Sequence, residues 1–181
     1  MIRVVKPGFS LLELLVVILI LGVLASLGTP SLIQSIHNMH LRADARLLYS
    51  HLAAARQYAL SHSTEVHLCP KSNPTINRCG DQRSTSDDWK NGWIMFADRN
   101  FDQQLQASEI VKLLPALKHT KLHFNQRGML RFFPDGSARS AGFYLCTKST
   151  HLERHVMLLH SGRLRVKDSL TNKQRKQCLL R

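Results

Sequence analysis

The sequence predicts an α+β protein: one very long helix followed by a head of antiparallel β-sheets. Three observations carry that expectation. Residues 9–29, FSLLELLVVILILGVLASLGT, are apolar apart from Glu13. After Pro30 the apolar side chains recur three and four residues apart, to about residue 61. Beyond that come short runs rich in β-branched and aromatic residues, punctuated by Gly, Pro, Asn and Asp. A long helix packed on antiparallel strands is an α+β arrangement.

The apolar block comes first in the chain. As a helix it measures about 31 Å, enough to cross a bilayer core. Arg3 and Lys6 precede it, which keeps that end on the cytoplasmic side. An ordinary secretory signal would be shorter and would end at an A-x-A site, which this block lacks. Glu13 is the anomaly. A carboxylate near the centre of a bilayer costs about 2.5–3.5 kcal/mol on insertion scales, so it needs a partner.

The amphipathic half has apolar residues at 32, 33, 36, 39, 43, 47, 48, 52, 55 and 59. That spacing puts them on one face, with Arg42, Asp44, Arg46 and Arg56 on the wetter side. A single helix then runs over 10–61, and Gly28–Pro30 is a place for a kink. The strand candidates are TEVHLC (64–69), GWIMFAD (92–98), EIVKLL (109–114), KLHF (121–124), LRFF (130–133), FYLC (143–146) and HVMLLH (155–160). Residues 70–88 read as a polar loop.

The four cysteines, Cys69, Cys79, Cys146 and Cys178, include no CxxC pair. Beyond an export-type segment, an even number suggests two disulfides. Of the three connectivities, Cys69–Cys79 with Cys146–Cys178 is favoured: a short local loop and a staple on the C-terminal segment. Zinc competes, but the close paired spacing of a zinc ribbon is missing.

Other candidate chemistry is weak. Asp98-x-Asn100-x-Asp102 resembles the start of a calcium loop, and Glu109 falls twelfth from Asp98. The sixth position is Gln103, where such a loop needs Gly, and strands rather than helices flank it. The expectation is a hairpin loop whose side chains cap their own backbone, with no metal and no cofactor. Trp89 and Trp93 could form a stacking platform for bases, but a core pair is expected. His119/His123 and His151/His155 are four apart, a metal spacing on a helix; on a strand it separates the two by about 13 Å. No nucleophile motif, phosphate loop or HExxH occurs, so no enzyme is expected.

The formal net charge is +13, from 25 Lys and Arg against 12 Asp and Glu. Such a surplus points to a polyanionic partner or to a generally basic surface. It concentrates in residues 162–181, GRLRVKDSLTNKQRKQCLLR, where Asp168 is the lone acid. Small polar residues should keep this tail flexible. Arg163 and Arg165 alternate with Leu164 and Val166, so in an extended chain both guanidiniums point the same way. Guanidinium forks match successive phosphates. The plainer reading is a solvated tail, or a last strand whose arginines face water.

The N-terminal stretch KPGFSLLELLVVILILGVLA resembles the signal of type IV pilins and type II secretion pseudopilins. DWKNGWIMFADRNFD (88–102), FPDG (133–136), FYLC and SGRLR (161–165) together resemble the minor pseudopilins of the FimT/GspH type. The resemblance implies a type IV pilin-like fold. It implies cleavage between Gly8 and Phe9 by a prepilin peptidase, with N-methylation of Phe9. It implies that Glu13 pairs with the terminal amine of a neighbouring subunit and fixes register. The inner membrane would hold the subunit, head in the periplasm, before other pilin subunits take it into a filament.

The resulting division is a leader (1–8), a membrane or filament-core helix (9–29), its amphipathic half (30–62), a β-rich head (63–161) and a basic tail (162–181). The resemblance also implicates such a tail in binding DNA in competence pili. The expected contacts of double-stranded DNA, through its phosphates, are Arg163, Arg165, Lys167, Lys173, Arg175 and Lys176. The alternative is a structural, GspH-like pseudopilin that primes filament assembly and meets only other pilins.

Overall fold

The long helix is α1, Leu11–His62, continuous through Gly28–Pro30. The computed structural model describes Gly8 and residues 10–80, 89, 91–147 and 152–179; the side chains of 25–31 and of Leu179 fall outside that description. The chain divides into two units, one ending at Ile36 and one starting at His37. In the first, the described apolar side chains from Leu11 to Leu24 and Leu32, Ile33 and Ile36 are exposed. Among the described residues no helix is long and apolar enough to cross a membrane. The fully described apolar run, Leu11–Leu24, measures only about 21 Å against a core of about 30 Å. The rest of the span expected over 9–29 includes Phe9 and the side chains of 25–29, which lie outside the described residues.

In the second unit α1 buries Leu41, Ala45, Leu48, Leu52, Ala55 and Ala59. The spacing alternates four and three, as one helical face requires. Two apolar stripes lie side by side in the sequence, and the buried one is not quite the expected one. Ala43 and Leu47 face out, while Leu41 and Ala45 are inside. Asp44, expected on the wetter side, is buried as well. Its carboxylate accepts the His119 N–H at 3.1 Å and the Thr120 hydroxyl at 2.9 Å, which offsets its desolvation.

Two antiparallel sheets enclose this stripe. The first has the order β2-β1-β3-β4, with β6 also paired to β1: β1 Glu65–Asn73, β2 Ile76–Cys79, β3 Trp93–Asp98, β4 Ile110–Leu114 and β6 Leu130–Phe132. The second has the order β5-β7-β8-β9: β5 Lys121–Phe124, β7 Ala141–Cys146, β8 Glu153–Leu158 and β9 Leu164–Lys167. A final helix, α2, covers Asn172–Leu179. β2 lies within the stretch expected to be loop. Its hairpin turn is set by Asn73, whose side chain accepts the Thr75 N–H at 3.0 Å.

Strand alternation sorts the side chains. Val66, Leu68, Phe143, Leu145, Val156 and Leu158 join the α1 stripe in the main core. Trp89 and Trp93, 1% and 0% exposed, belong to it too, with ring centroids 5.8 Å apart. Neither is available to stack on bases. The opposite faces carry smaller clusters, each next to a disulfide. Cys69, Ile94 and Phe96 back the first sheet, and Tyr144, Cys146, Leu170 and Cys178 back the second. The bridges are Cys69–Cys79 and Cys146–Cys178.

Two of the sequence motifs meet through one arginine. FPDG ends in Gly136 at φ +74 and SGRLR contains Gly162 at φ +71. Arg56 of α1 donates from Nε to the Gly136 carbonyl at 3.0 Å and from Nη2 to the Ser161 carbonyl at 3.3 Å. A Cβ on Gly162 would collide with the Gly136 carbonyl oxygen and approach Arg56 Nε to 2.7 Å. The β8–β9 turn closes on itself, Gly162 N–H donating to the Leu159 carbonyl at 2.9 Å. Gly162 is therefore demanded twice, by its left-handed backbone and by the close approach.

Three predictions follow from this packing. Gly162→Ala should cost about 1–3 kcal/mol of stability, measured by urea unfolding. Cys146→Ser with Cys178→Ser opens a bridge spanning 32 residues. By loop-closure entropy it should cost about 3–4 kcal/mol, with faster amide exchange in α2. Burial, then Lys112 nearby, holds the His51 pKa below its ordinary value. A lowered folded value means full stability above the ordinary histidine range and loss as pH falls through it. The unfolding midpoint should therefore drop between about pH 7 and pH 5, and His51→Leu should shrink the drop.

Candidate nucleic-acid interface

The basic segment is built into the fold rather than hanging from it. Residues 162–181 were expected to be a flexible tail or, on the plainer reading, to include a last strand whose arginines face water. The strand is there: β9 pairs with β8 along Leu158↔Leu164, Met157↔Arg165, Val156↔Val166 and His155↔Lys167. Leu164 packs against the main core, which explains why the strand forms despite its charge. Arg165 and Lys167 therefore point away from the core, and Arg163 shares their parity just before the strand. All three are exposed, about 6–7 Å apart along an extended chain.

Lys167 ends a row that crosses the whole sheet. His123 on β5 faces Tyr144 on β7, Tyr144 faces His155 on β8, and His155 faces Lys167. His123 stacks on Tyr144 at 5.6 Å, and His155 meets Tyr144 edge-on at 4.8 Å. Burial, then the Lys167 charge, lowers the His155 pKa. His123 and His155 thus form an aromatic row with Tyr144, while His119 stacks on His40 at 3.9 Å. His151 lies outside the described residues.

The α2 helix lies over β7 and β5 on this same face. Its N-terminus is capped reciprocally: Gln174 N–H donates to the Thr171 hydroxyl at 3.4 Å, and Gln174 Oε1 accepts the Thr171 N–H at 2.9 Å. Cys178 ties its far end to β7. Arg175 donates to Glu153 of β8 through Nε and Nη2, both at 2.7 Å, and this pairing raises its pKa. Glu153 also accepts the Leu170 N–H at 2.9 Å. Arg175, expected as a phosphate contact, is thus paired within the protein, with its side chain still 42% exposed. Asp168, the segment's only acid, faces Arg154 at 3.2 Å.

With both nearby acids paired, Arg163, Arg165, Lys167, Lys173 and Lys176 remain exposed. None makes a side-chain hydrogen bond or ion pair among the described residues. On the α1 side of β9, opposite Arg165 and Lys167, a cleft of about 390 Å³ is lined by Arg42, Arg46, Tyr49 and Val166, together with the Arg154–Asp168 pair. Arg181 lies outside the described residues. The surface is cationic and solvent-exposed, so it can hold an extended anion. Sequence reasoning missed Arg42, Arg46 and Arg154 as neighbours of the segment because they come from α1 and β8, far away in the chain.

The other expected sites are placed as follows. Gly8 is described and exposed; Phe9 lies outside the described residues. Glu13 sits in the first turn of α1. The Asp98–Asn100–Asp102 loop does cap its own backbone. Asp98 accepts the Asp102 and Gln103 N–H groups at 3.2 and 2.9 Å, and Asp102 accepts that of Gln104 at 2.8 Å.

Comparison with known proteins agrees with this architecture. The family described as Type II transport protein GspH matches residues 44–162. The prokaryotic N-terminal methylation motif matches residues 6–29. No curated protein matches the chain. A crystal structure of the type IV minor pilin FimU of Pseudomonas aeruginosa PAO1 is similar, with 16% identity and a TM-score of 0.50. The similarity covers 70% of this chain and 87% of that one. A second crystal form of FimU aligns at 15% identity and a TM-score of 0.49, over 70% of this chain and 91% of that one. The GspH match alone spans well over half of the 181 residues. These families are structural pilins rather than enzymes. The chain belongs to the GspH family and is a minor pilin or pseudopilin with the type IV pilin fold.

Proposed function

We propose that this minor pilin holds extracellular double-stranded DNA on the basic face of its second sheet, in a type IV competence pilus, and so promotes DNA uptake in natural transformation. One observation carries the reading: five cations of β9, α2 and the residue before β9 stand exposed and unpaired on one braced surface. All five follow Gly162, where the GspH match ends. Contacts run to phosphates, which give affinity without sequence information. Arg175 serves by fixing α2 against Glu153.

Maturation precedes this role. The prepilin peptidase cuts between Gly8 and Phe9, Phe9 is N-methylated, and the inner membrane holds α1 with the head in the periplasm. Glu13 then pairs with a neighbour's terminal amine during assembly, because a carboxylate in an apolar bundle demands a positive partner at a fixed register.

A second reading has its own support. Leu32, Ile33 and Ile36 form an apolar stripe left exposed on α1 in the first unit, and in the second Met39 and Leu47 are exposed on α1. Such a stripe suits packing against other pilin subunits. On this reading the protein primes pilus or type II secretion pseudopilus assembly, and the basic face meets acidic subunits.

Electrophoretic retardation of plasmid DNA separates the two. With about three to five phosphates engaged, log Kobs should fall against log salt with a slope near −3 to −4.5. Arg163→Ala, Arg165→Ala and Lys167→Ala combined should abolish retardation while leaving the circular dichroism unchanged. Retardation by that variant equal to wild type excludes the DNA reading. A deletion strain complemented with it should keep its pili and lose transformation.

A further inference from the structure

The outer face of the first sheet carries an acidic constellation in which two of three carboxylates are buried. Asp98 ends β3, Asp102 lies in the loop after it, and Glu109 ends a short 3-10 turn, Ala107–Glu109, before β4. One carboxylate oxygen from each lies within 4.8 Å of the others. Asp98 is 0% and Glu109 5% exposed. Asp98 has both oxygens occupied by backbone N–H groups, at 3.2 and 2.9 Å. Glu109 Oε1 accepts the Arg99 N–H at 3.0 Å, but its Oε2 is buried with no hydrogen-bond partner.

An unpartnered buried carboxylate oxygen is expensive, and two buried carboxylates side by side compound the cost. No local cation serves them. His67 Nε2 stands 3.4 Å from Asp98 Oδ2 and from Glu65 Oε2, without hydrogen-bond geometry. Arg131 reaches only Glu65, at 3.5 Å. Both lie on the Glu65 side of Asp98, leaving Glu109 Oε2 without a countercharge among the described residues.

We propose that Asp98, Asp102 and Glu109 bind one calcium ion at this site. Calcium holds its oxygens at about 2.3–2.6 Å, so oxygens sharing one ion stand at most about 5 Å apart, as these do. Magnesium demands near-ideal octahedral geometry and keeps several waters, so a cage of three carboxylates suits it less well. The donors are all oxygen, the set that hard cations select. Asp102 Oδ2 is filled by the side-chain amides of Asn100 and Gln106, each at 2.9 Å, but its Oδ1 accepts only the Gln104 N–H and, like the Asp98 oxygens, keeps a second lone pair for the ion. The three residues occupy the first, fifth and twelfth positions of a calcium-loop spacing. The missing glycine at the sixth position is no obstacle, because Gln103 already adopts φ +57. Bound calcium would tie the β3–β4 connection across the back of the sheet. The site lies on a different sheet from the basic face and is independent of the DNA reading.

The test is calorimetric titration of CaCl₂ into the full chain, purified in detergent and stripped with chelator, with MgCl₂ and ZnCl₂ run in parallel. One calcium per chain is expected, with Kd about 10⁻⁴–10⁻³ M, the range of extracellular modules, and weaker magnesium binding. Glu109→Gln, which keeps an oxygen for the Arg99 N–H, should weaken calcium at least tenfold, as should the exposed Asp102→Asn if Glu109→Gln fails to fold. Absence of calcium heat well above that range, or unchanged affinity in Asp102→Asn, overturns the proposal. So does zinc binding without calcium binding, lost in His67→Gln and kept in Glu109→Gln, which would assign the site to Glu65, His67 and Asp98 instead.

Discussion

The apolar stripe of α1 from Leu41 to Ala59 fixes the rest of the head. It lies against the inward faces of both sheets, so the strands that cover it must turn one set of alternate residues toward it. The other set is left for whatever else the protein does. Val66 and Leu68 face the helix while Glu65, His67 and Cys69 cannot. Leu164 does so while Arg165 and Lys167 cannot. Chemistry on this protein is the residue of that division: an acidic constellation behind the first sheet and a basic surface behind the second.

Each outward face is then secured separately, because it has no share in the main core. Cys69–Cys79 closes the small cluster behind the first sheet. Cys146–Cys178 and the two-pronged Arg175–Glu153 pair hold α2 behind the second. Without them α2, whose sequence NKQRKQCL is almost entirely polar, would have little reason to form or to stay. The functional consequence is preorganisation. A braced cationic surface loses less conformational entropy on binding than a loose arm carrying the same charges. Arg56 extends the same logic to the turn that launches β9, since one side chain satisfies carbonyls from two hairpins.

Much of this was legible in the sequence, for identifiable reasons. The long helix shows itself through a three-and-four repeat, and KLHF coincides with β5, with Asn125 and Gly128 marking its far end. FPDG and SGRLR are visible as motifs, but their meaning is not: only the fold brings Gly136 and Gly162 together under Arg56. Within α1 two apolar stripes compete, and the sequence cannot say which faces the sheets, so Leu47 and Asp44 were placed on the wrong sides. β9 shows only faintly, because its alternation is carried by just Leu164 and Val166 amid arginines and lysines. α2 hides because its stability comes from Cys178 and Glu153, not from its own periodicity. Glu153 is the residue that sequence reasoning had no means of finding, since it reaches across 22 positions to neutralise an arginine that looked free.

The central claim is that DNA lies across the braced outer face of the second sheet. Amide chemical shifts of the full chain in micelles, followed while a short duplex is added, test it most directly. The account predicts that β9 and α2 move together and by the same titration curve, with β1 to β4 unmoved. Shifts that bypass residues 163–176, or no shifts at low salt, would contradict it and leave a purely structural pilin.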